Sequence, residues 1–144
     1  MGEIGSKMKK IYTLILIFIL FPNAVFASGV NKKFEVVINL ETPFEIGGKV
    51  TGNFQVKNIG ESDDVAKIIF YVRGIFNRSD LFYEWENKTY ENIEIATGTT
   101  EIIKFDVPIK LINNINEMTS YAIGVIITGK SGTGYEEITG YISK

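Results

Sequence analysis

The chain has 144 residues, 15 Lys or Arg against 17 Asp or Glu, a formal net charge of −2 at pH 7, and neither histidine nor cysteine. Without those two residue types a Ser-His or Cys-His nucleophile and a thiolate or imidazole metal site are excluded, and no disulfide can staple the fold. No basic patch or stripe stands out, which speaks against nucleic acid as a partner.

Residues 8–27 read as a secretory signal peptide. Lys7, Lys9 and Lys10 form a positive opening, residues 11–21 an apolar run, Pro22-Asn23 a break, and Val25-Phe26-Ala27 the small residues at a cleavage site. The run falls short of the roughly 20 apolar residues of a membrane span. The alternative is a retained N-terminal anchor; either way the lysines stay cytoplasmic and the body is exported. Met8-Lys9-Lys10 is itself an ordinary signal-peptide opening, so residues 1–7 read as an upstream extension. The expected organisation is residues 1–27 as signal segment and residues 28–144 as one domain, outside the cell or on its surface. That remainder is long enough to bury a core without disulfide or metal.

The apolar segments that follow have period two and are rich in β-branched and aromatic residues. Phe34, Val36, Ile38 and Leu40 alternate with Glu35, Val37 and Asn39, and Val50, Gly52, Phe54 and Val56 alternate likewise. Residues 67–73 (KIIFYVR) are more continuously apolar, as in a central strand. Leu81, Tyr83 and Trp85 share one side, and residues 90–96 and 101–107 alternate again. Residues 121–128 (YAIGVIIT) are apolar throughout, and residues 136–142 close the pattern. Turn signals lie at Gly47-Gly48, residues 58–60, Gly74, residues 77–80, Gly98, Asn113-Asn114 and residues 129–134. Residues 111–118 suit a loop crossing between sheets, with room for one helical turn. Phe54, Ile69, Tyr71, Phe105, Ile123 and Val125 are the expected inward-facing residues. The pattern predicts an all-β, antiparallel immunoglobulin-like sandwich of seven to nine strands.

A resemblance rests on specific residues. An extended segment with a glycine turn (residues 43–48) leads to Val56-Lys57-Asn58-Ile59-Gly60, a polar loop (61–64), and a strand ending in Gly74. Gly98-Thr99-Thr100, an I-x-F-x-V-P strand (103–108) and a Y-x-I-x-V-x-I strand (121–127) follow. This resembles the CARDB-type and related immunoglobulin-like modules of archaeal and bacterial cell-surface proteins. Residues 48–52, 69–74, 105–108 and those from Tyr121 onward are also similar to the first domain of arrestin-like proteins. Both resemblances imply a sandwich. The first implies a binding or structural role at the surface, and the second an adaptor role.

Several groups are candidate sites. Asn77-Arg78-Ser79 and Asn87-Lys88-Thr89 fit N-x-[ST], read as lying in or beside polar turns, and would accept N-glycans in an exported protein; chance occurrence is the competing reading. Phe82, Trp85 and Tyr90, with Tyr83, form the densest aromatic cluster. They are candidate ligand or partner contacts, able to stack on sugar rings or anchor an interface. The alternative puts Tyr83 and Trp85 in the core with Leu81 and leaves Phe82 the more exposed. Glu61, Asp63 and Asp64 lack the alternating ligand ladder of a Ca²⁺ loop and read as a solvated acidic turn. Glu84, Glu86, Glu91 and Glu94 read as surface carboxylates rather than a glycosidase pair. Residues 129–134 match a phosphate loop in composition but not in order, and read as a hairpin loop.

The sequence therefore predicts a non-enzymatic, exported surface module without cofactor or metal, whose partner is a protein or glycan at the cell surface. Carbohydrate binding and the arrestin-like role are further alternatives. The rival from another class is a filament subunit that self-associates by donating Phe34, Val36, Ile38 and Leu40 to a neighbour's sheet. Membrane contact is expected only through an uncleaved N-terminal segment.

Overall fold

A computed structural model of the chain describes residues 32–77 and 81–143. The signal segment and its cleavage point lie outside the described residues. The described residues form seven strands: β1 Phe34–Leu40, β2 Lys49–Asn58, β3 Asp64–Phe76, β4 Phe82–Ile95, β5 Thr100–Pro108, β6 Met118–Thr128 and β7 Thr133–Tyr141. They make two antiparallel sheets, of order β1-β2-β5 and β4-β3-β6-β7. The segment from β5 to β6 crosses between the sheets and contains the 3₁₀ turn Ile115–Glu117. This is an antiparallel sandwich of seven strands, within the seven to nine that the alternation predicts. Its fourth strand lies beside the third rather than completing the sheet of the first, second and fifth.

The core forms where the alternating faces of the sheets meet. Val50, Phe54 and Val56 of β2 and Phe105 and Val107 of β5 face Ile68, Phe70 and Val72 of β3 and Ile123, Val125 and Ile127 of β6. Phe70 lies between Phe54 and Phe105, with ring centroids 5.4 and 4.7 Å away. Full burial of such side chains contributes roughly 1.5–3 kcal/mol each. Phe54, Phe105, Ile123 and Val125 point inward as expected.

Ile69 and Tyr71 do not. β3 pairs on both edges and is apolar on both sides, so its run KIIFYVR carries no alternation from which to read phase. Ile68, Phe70 and Val72 hold the inward positions, which turns Ile69, Tyr71 and Arg73 to the outer face of the four-stranded sheet. Gly74 is not a turn either. It is buried within β3, where an added Cβ would run into Met118 and the Trp85 ring.

The sequence also splits β4 into two strands where the structure has one. β4 is an edge strand, and its middle residues Asn87, Lys88 and Thr89 are exposed, so they look like a turn. Two bulges reset its register. At one, Trp85 is the extra residue between the pairs Val72–Glu86 and Arg73–Glu84. At the other, Glu91 and Asn92 oppose Lys67, and Asn92 takes φ 55°, a left-handed conformation that Asn tolerates better than most residues.

Candidate functional site

One pole of the sandwich is built from the residues leading into β1 and the connections β2–β3, β4–β5 and β6–β7. Asn58, the asparagine of Val-Lys-Asn-Ile-Gly, is fully buried there. Its amide donates to the carbonyls of Ser62 and Ile95, each at 2.9 Å, and its side-chain oxygen accepts from Gly60 N–H at 2.9 Å. Its main chain pairs with Thr99 and Gly98. Asn58 thus ties the end of β2 in one sheet to the end of β4 in the other. Asp63 accepts from Thr97 N–H at 2.8 Å, and the Thr97 hydroxyl donates to the Gly60 carbonyl.

Lys33 joins the same frame. Its N–H donates to the Thr133 carbonyl at 2.9 Å, at the start of β7, and its carbonyl accepts from Ile59 N–H at 2.8 Å. Its ammonium lies 3.2 Å from Asp64 Oδ2, 3.2 Å from Ser62 Oγ and 2.7 Å from Ser131 Oγ. Those three partners match its three donors. The side chains of Lys33 and Asp64 are only 4% and 2% exposed. Asp64 also accepts from the N–H groups of Val65, Lys130 and Ser131. Burial alone would raise its carboxyl. The Lys130 N–H, the Lys33 ammonium and the Val65 and Ser131 N–H groups outweigh that and hold it at about 2. A charge pair this buried is stable only with such complete hydrogen bonding.

Beside this brace lies a cleft of about 480 Å³, with Ser62, Asp63, Glu94, Ala96, Lys130 and Ser131 among its lining residues. It presents carboxylates and an ammonium on a pole whose main chain is cross-braced, so it can take a polar surface without large rearrangement. Glu61, Asp63 and Asp64 do not converge as metal ligands: no group of three or more metal-ligating acids occurs among the described residues. Asp64 is instead the buried centre of the pole, a role the sequence did not signal.

The aromatic candidates are dispersed. Phe82 is 3% exposed, not the open residue of the cluster. Its ring lies on the outer face of the four-stranded sheet, 4.8 Å from the Arg73 guanidinium, which sits 3.5 Å from the Tyr71 ring on its other contact. Arg73 Nε donates to Glu84 at 2.8 Å, with side chains 4% and 10% exposed, while Arg73 Nη1 is buried without a hydrogen-bond partner among the described residues. The Tyr71 ring crosses Gly124, where any Cβ would collide with it, and its hydroxyl donates to Glu137. Burial first, then the Glu137 charge, push the Tyr71 hydroxyl well above the usual tyrosine range. Burial likewise leads in raising Tyr135 to about 12.

The bulge turns Trp85 toward the core side, where it meets Phe44 and Tyr83 edge-on and donates from Nε1 to the Lys110 carbonyl at 2.9 Å. Tyr90 packs edge-on against Phe54. Phe82, Trp85 and Tyr90 therefore share no exposed platform. Glu84 and Glu86 sit on the same strand, with Glu84 held by Arg73. Phe34, Val36, Ile38 and Leu40 pair with β2 of their own domain, from Phe34–Asn58 to Leu40–Gly52, and Phe34 and Val36 are buried. Asn77 and Asn87 are both exposed; Arg78 and Ser79 of the first sequon lie outside the described residues.

No family model matches the chain, and no curated protein does. Solved structures are similar in fold. Red sea bream transglutaminase aligns at TM-score 0.53 and 10% identity, over 85% of this chain and 18% of that one. The alkylpurine DNA glycosylase AlkC of Pseudomonas fluorescens, bound to DNA containing an abasic site analogue, aligns at 0.50 and 8%, over 80% and 33%. This chain thus spans a third or less of each of those two proteins, and the likeness is one of sandwich fold alone.

Proposed function

We propose that the chain is an exported, non-enzymatic binding module of the cell surface that engages a protein or glycan through the loop pole. The observation that carries this reading is the pole itself. Four chain segments from both sheets are cross-braced there by Asn58 and by the buried Lys33–Asp64 pair. The exposed side chains of Glu94 and Lys130 beside the cleft are left outside that brace. Binding groups on loops held by a rigid scaffold are a common way for a sandwich to present a surface. Of the β4 carboxylates named as candidates, Glu84 is taken up by the ion pair with Arg73.

The test has two parts. Protease treatment of intact cells of the source organism should remove the protein. Purified residues 28–144 should bind isolated cell envelopes, and Glu94→Lys and Lys130→Glu should each weaken that binding several-fold. Protein confined to the cytoplasm, or pole variants that bind like the parent, would contradict the proposal.

The second reading, a filament built by strand addition, draws on one observation. β1 is an edge strand held by antiparallel pairing to β2, so a neighbour's β1 could fill the same slot with the same main-chain bonds. The Lys33–Asp64 brace at its head favours pairing at home.

A further inference from the structure

We infer that Asn87 is the acceptor of an N-linked glycan, an inference that rests on the proposal of export. An N-glycan acceptor needs an accessible asparagine amide with a hydroxyl side chain two residues on. In a strand, residues i and i+2 point to the same side, roughly 6.5–7 Å apart. Asn87-Lys88-Thr89 meets this within β4. All three residues are exposed, and Asn87 and Thr89 lie opposite Tyr71 and Ile69 on the outer face of the four-stranded sheet.

β4 is also the edge of that sheet, so no described strand pairs along its other side. Among the described residues Asn87 Nδ2 donates to the Glu84 carboxylate, at 3.2 and 3.3 Å, bonds long enough to be exchanged without disturbing the tighter Arg73–Glu84 pair. Asn77 is exposed too, but Arg78 and Ser79 of its sequon lie outside the described residues.

The donor is a sugar chain carried on a lipid phosphate. Asn87 Nδ2 forms a bond to the sugar's anomeric carbon, the bond from that carbon to the lipid phosphate oxygen breaks, and the phosphate leaves with the electron pair. Nδ2 gives up one proton, and nothing is oxidised or reduced. A glycan there stands over the free edge of β4, where unpaired main chain otherwise invites another strand. It also directs partners away from that side and toward the loop pole.

The experiment is mass spectrometry of the protein purified from its own host, on the intact chain and on the peptide containing Asn87. Location is scored separately by protease treatment of intact cells. A mass increase of whole sugar residues on that peptide is expected. It should disappear in both Asn87→Gln and Thr89→Val and persist in Ser79→Ala, with the melting temperature of the unglycosylated variants within a few degrees of each other. Exported protein with unmodified Asn87 overturns the assignment and leaves the export proposal standing. Protein found only inside the cell overturns both.

Discussion

On the three-stranded sheet, the side chains turned away from the core include Glu35, Val37 and Asn39 of β1, Thr51, Asn53 and Gln55 of β2, and Ile102, Lys104 and Asp106 of β5. They are solvated: Val37 is 49% and Ile102 59% exposed, and the Lys49–Asp106 pair is 59% and 60% exposed. On the four-stranded sheet the corresponding face carries Tyr71, Arg73, Phe82, Ala122 and Ile126, every one of them 5% exposed or less. The first face is a surface with charges at its edge. The second is packed like an interior around an ion pair lying among aromatic rings, while Asn87 and Thr89 at its β4 edge are exposed. The same charge chemistry therefore has different energetic weight on the two sides, because desolvation, not the count of pairs, sets what an ion pair is worth.

The largest effects should come from the core between those faces. Phe54→Ala and Phe70→Ala should each cost about 3–5 kcal/mol through lost burial and a cavity, read as a fall in the denaturant midpoint. Ile102→Thr on the solvated face should stay within about 0.5 kcal/mol. Equal costs at Phe70 and Ile102 would mean that the assigned phase of the strands is wrong.

Glu84→Ala sharpens the comparison of the faces. It leaves the Arg73 guanidinium buried and unpaired, at a cost of about 3 kcal/mol or more, whereas the double change Arg73→Met, Glu84→Leu should be near neutral. Lys49→Ala, at the exposed pair, should cost about 0–1 kcal/mol. If Glu84→Ala is no worse than Lys49→Ala, the four-stranded face is solvated like the other.

A smaller effect appears in acid. Asp64 titrates at about 2 in the folded chain, below its ordinary 3.8. Its stabilisation is therefore present above about pH 4 and lost as the pH falls toward 2, on the order of 2 kcal/mol in all. Unfolding midpoints measured across that window should drop for the parent and stay flatter for Asp64→Asn. A parallel drop in both would place the acid sensitivity elsewhere.

Much of this fold was legible in the sequence because most strands are buried on one side only, which imprints alternation. β1, β2 and β5 were readable for that reason. β3 lost its phase because both its sides are apolar, and β4 was split because an edge strand solvated at its middle resembles a turn. The pole was half legible. The Val-Lys-Asn-Ile-Gly stretch carried a turn signal and part of the resemblance, but no sign that Asn58 is a hydrogen-bond hub. Lys33 and Asp64 are far apart in sequence, one beside a second lysine and one in an acidic stretch, and neither carries a local sign of the other. Phe82 looked exposed because, although its side away from Tyr83 and Trp85 was legible, nothing local marks that outer face as packed around Arg73.

β1 pairs within its own domain and is fixed at its head by the Lys33–Asp64 pair, so the pole is assembled from one chain. Size-exclusion chromatography with light scattering, on chains beginning at Ser28 and at Thr42, tests it most directly. A folded monomer is expected from the first and a chain unable to fold from the second, which lacks both the pole lysine and the Phe34 and Val36 side chains. Polymers from the Ser28 chain that are capped by a folded Thr42 chain would contradict it.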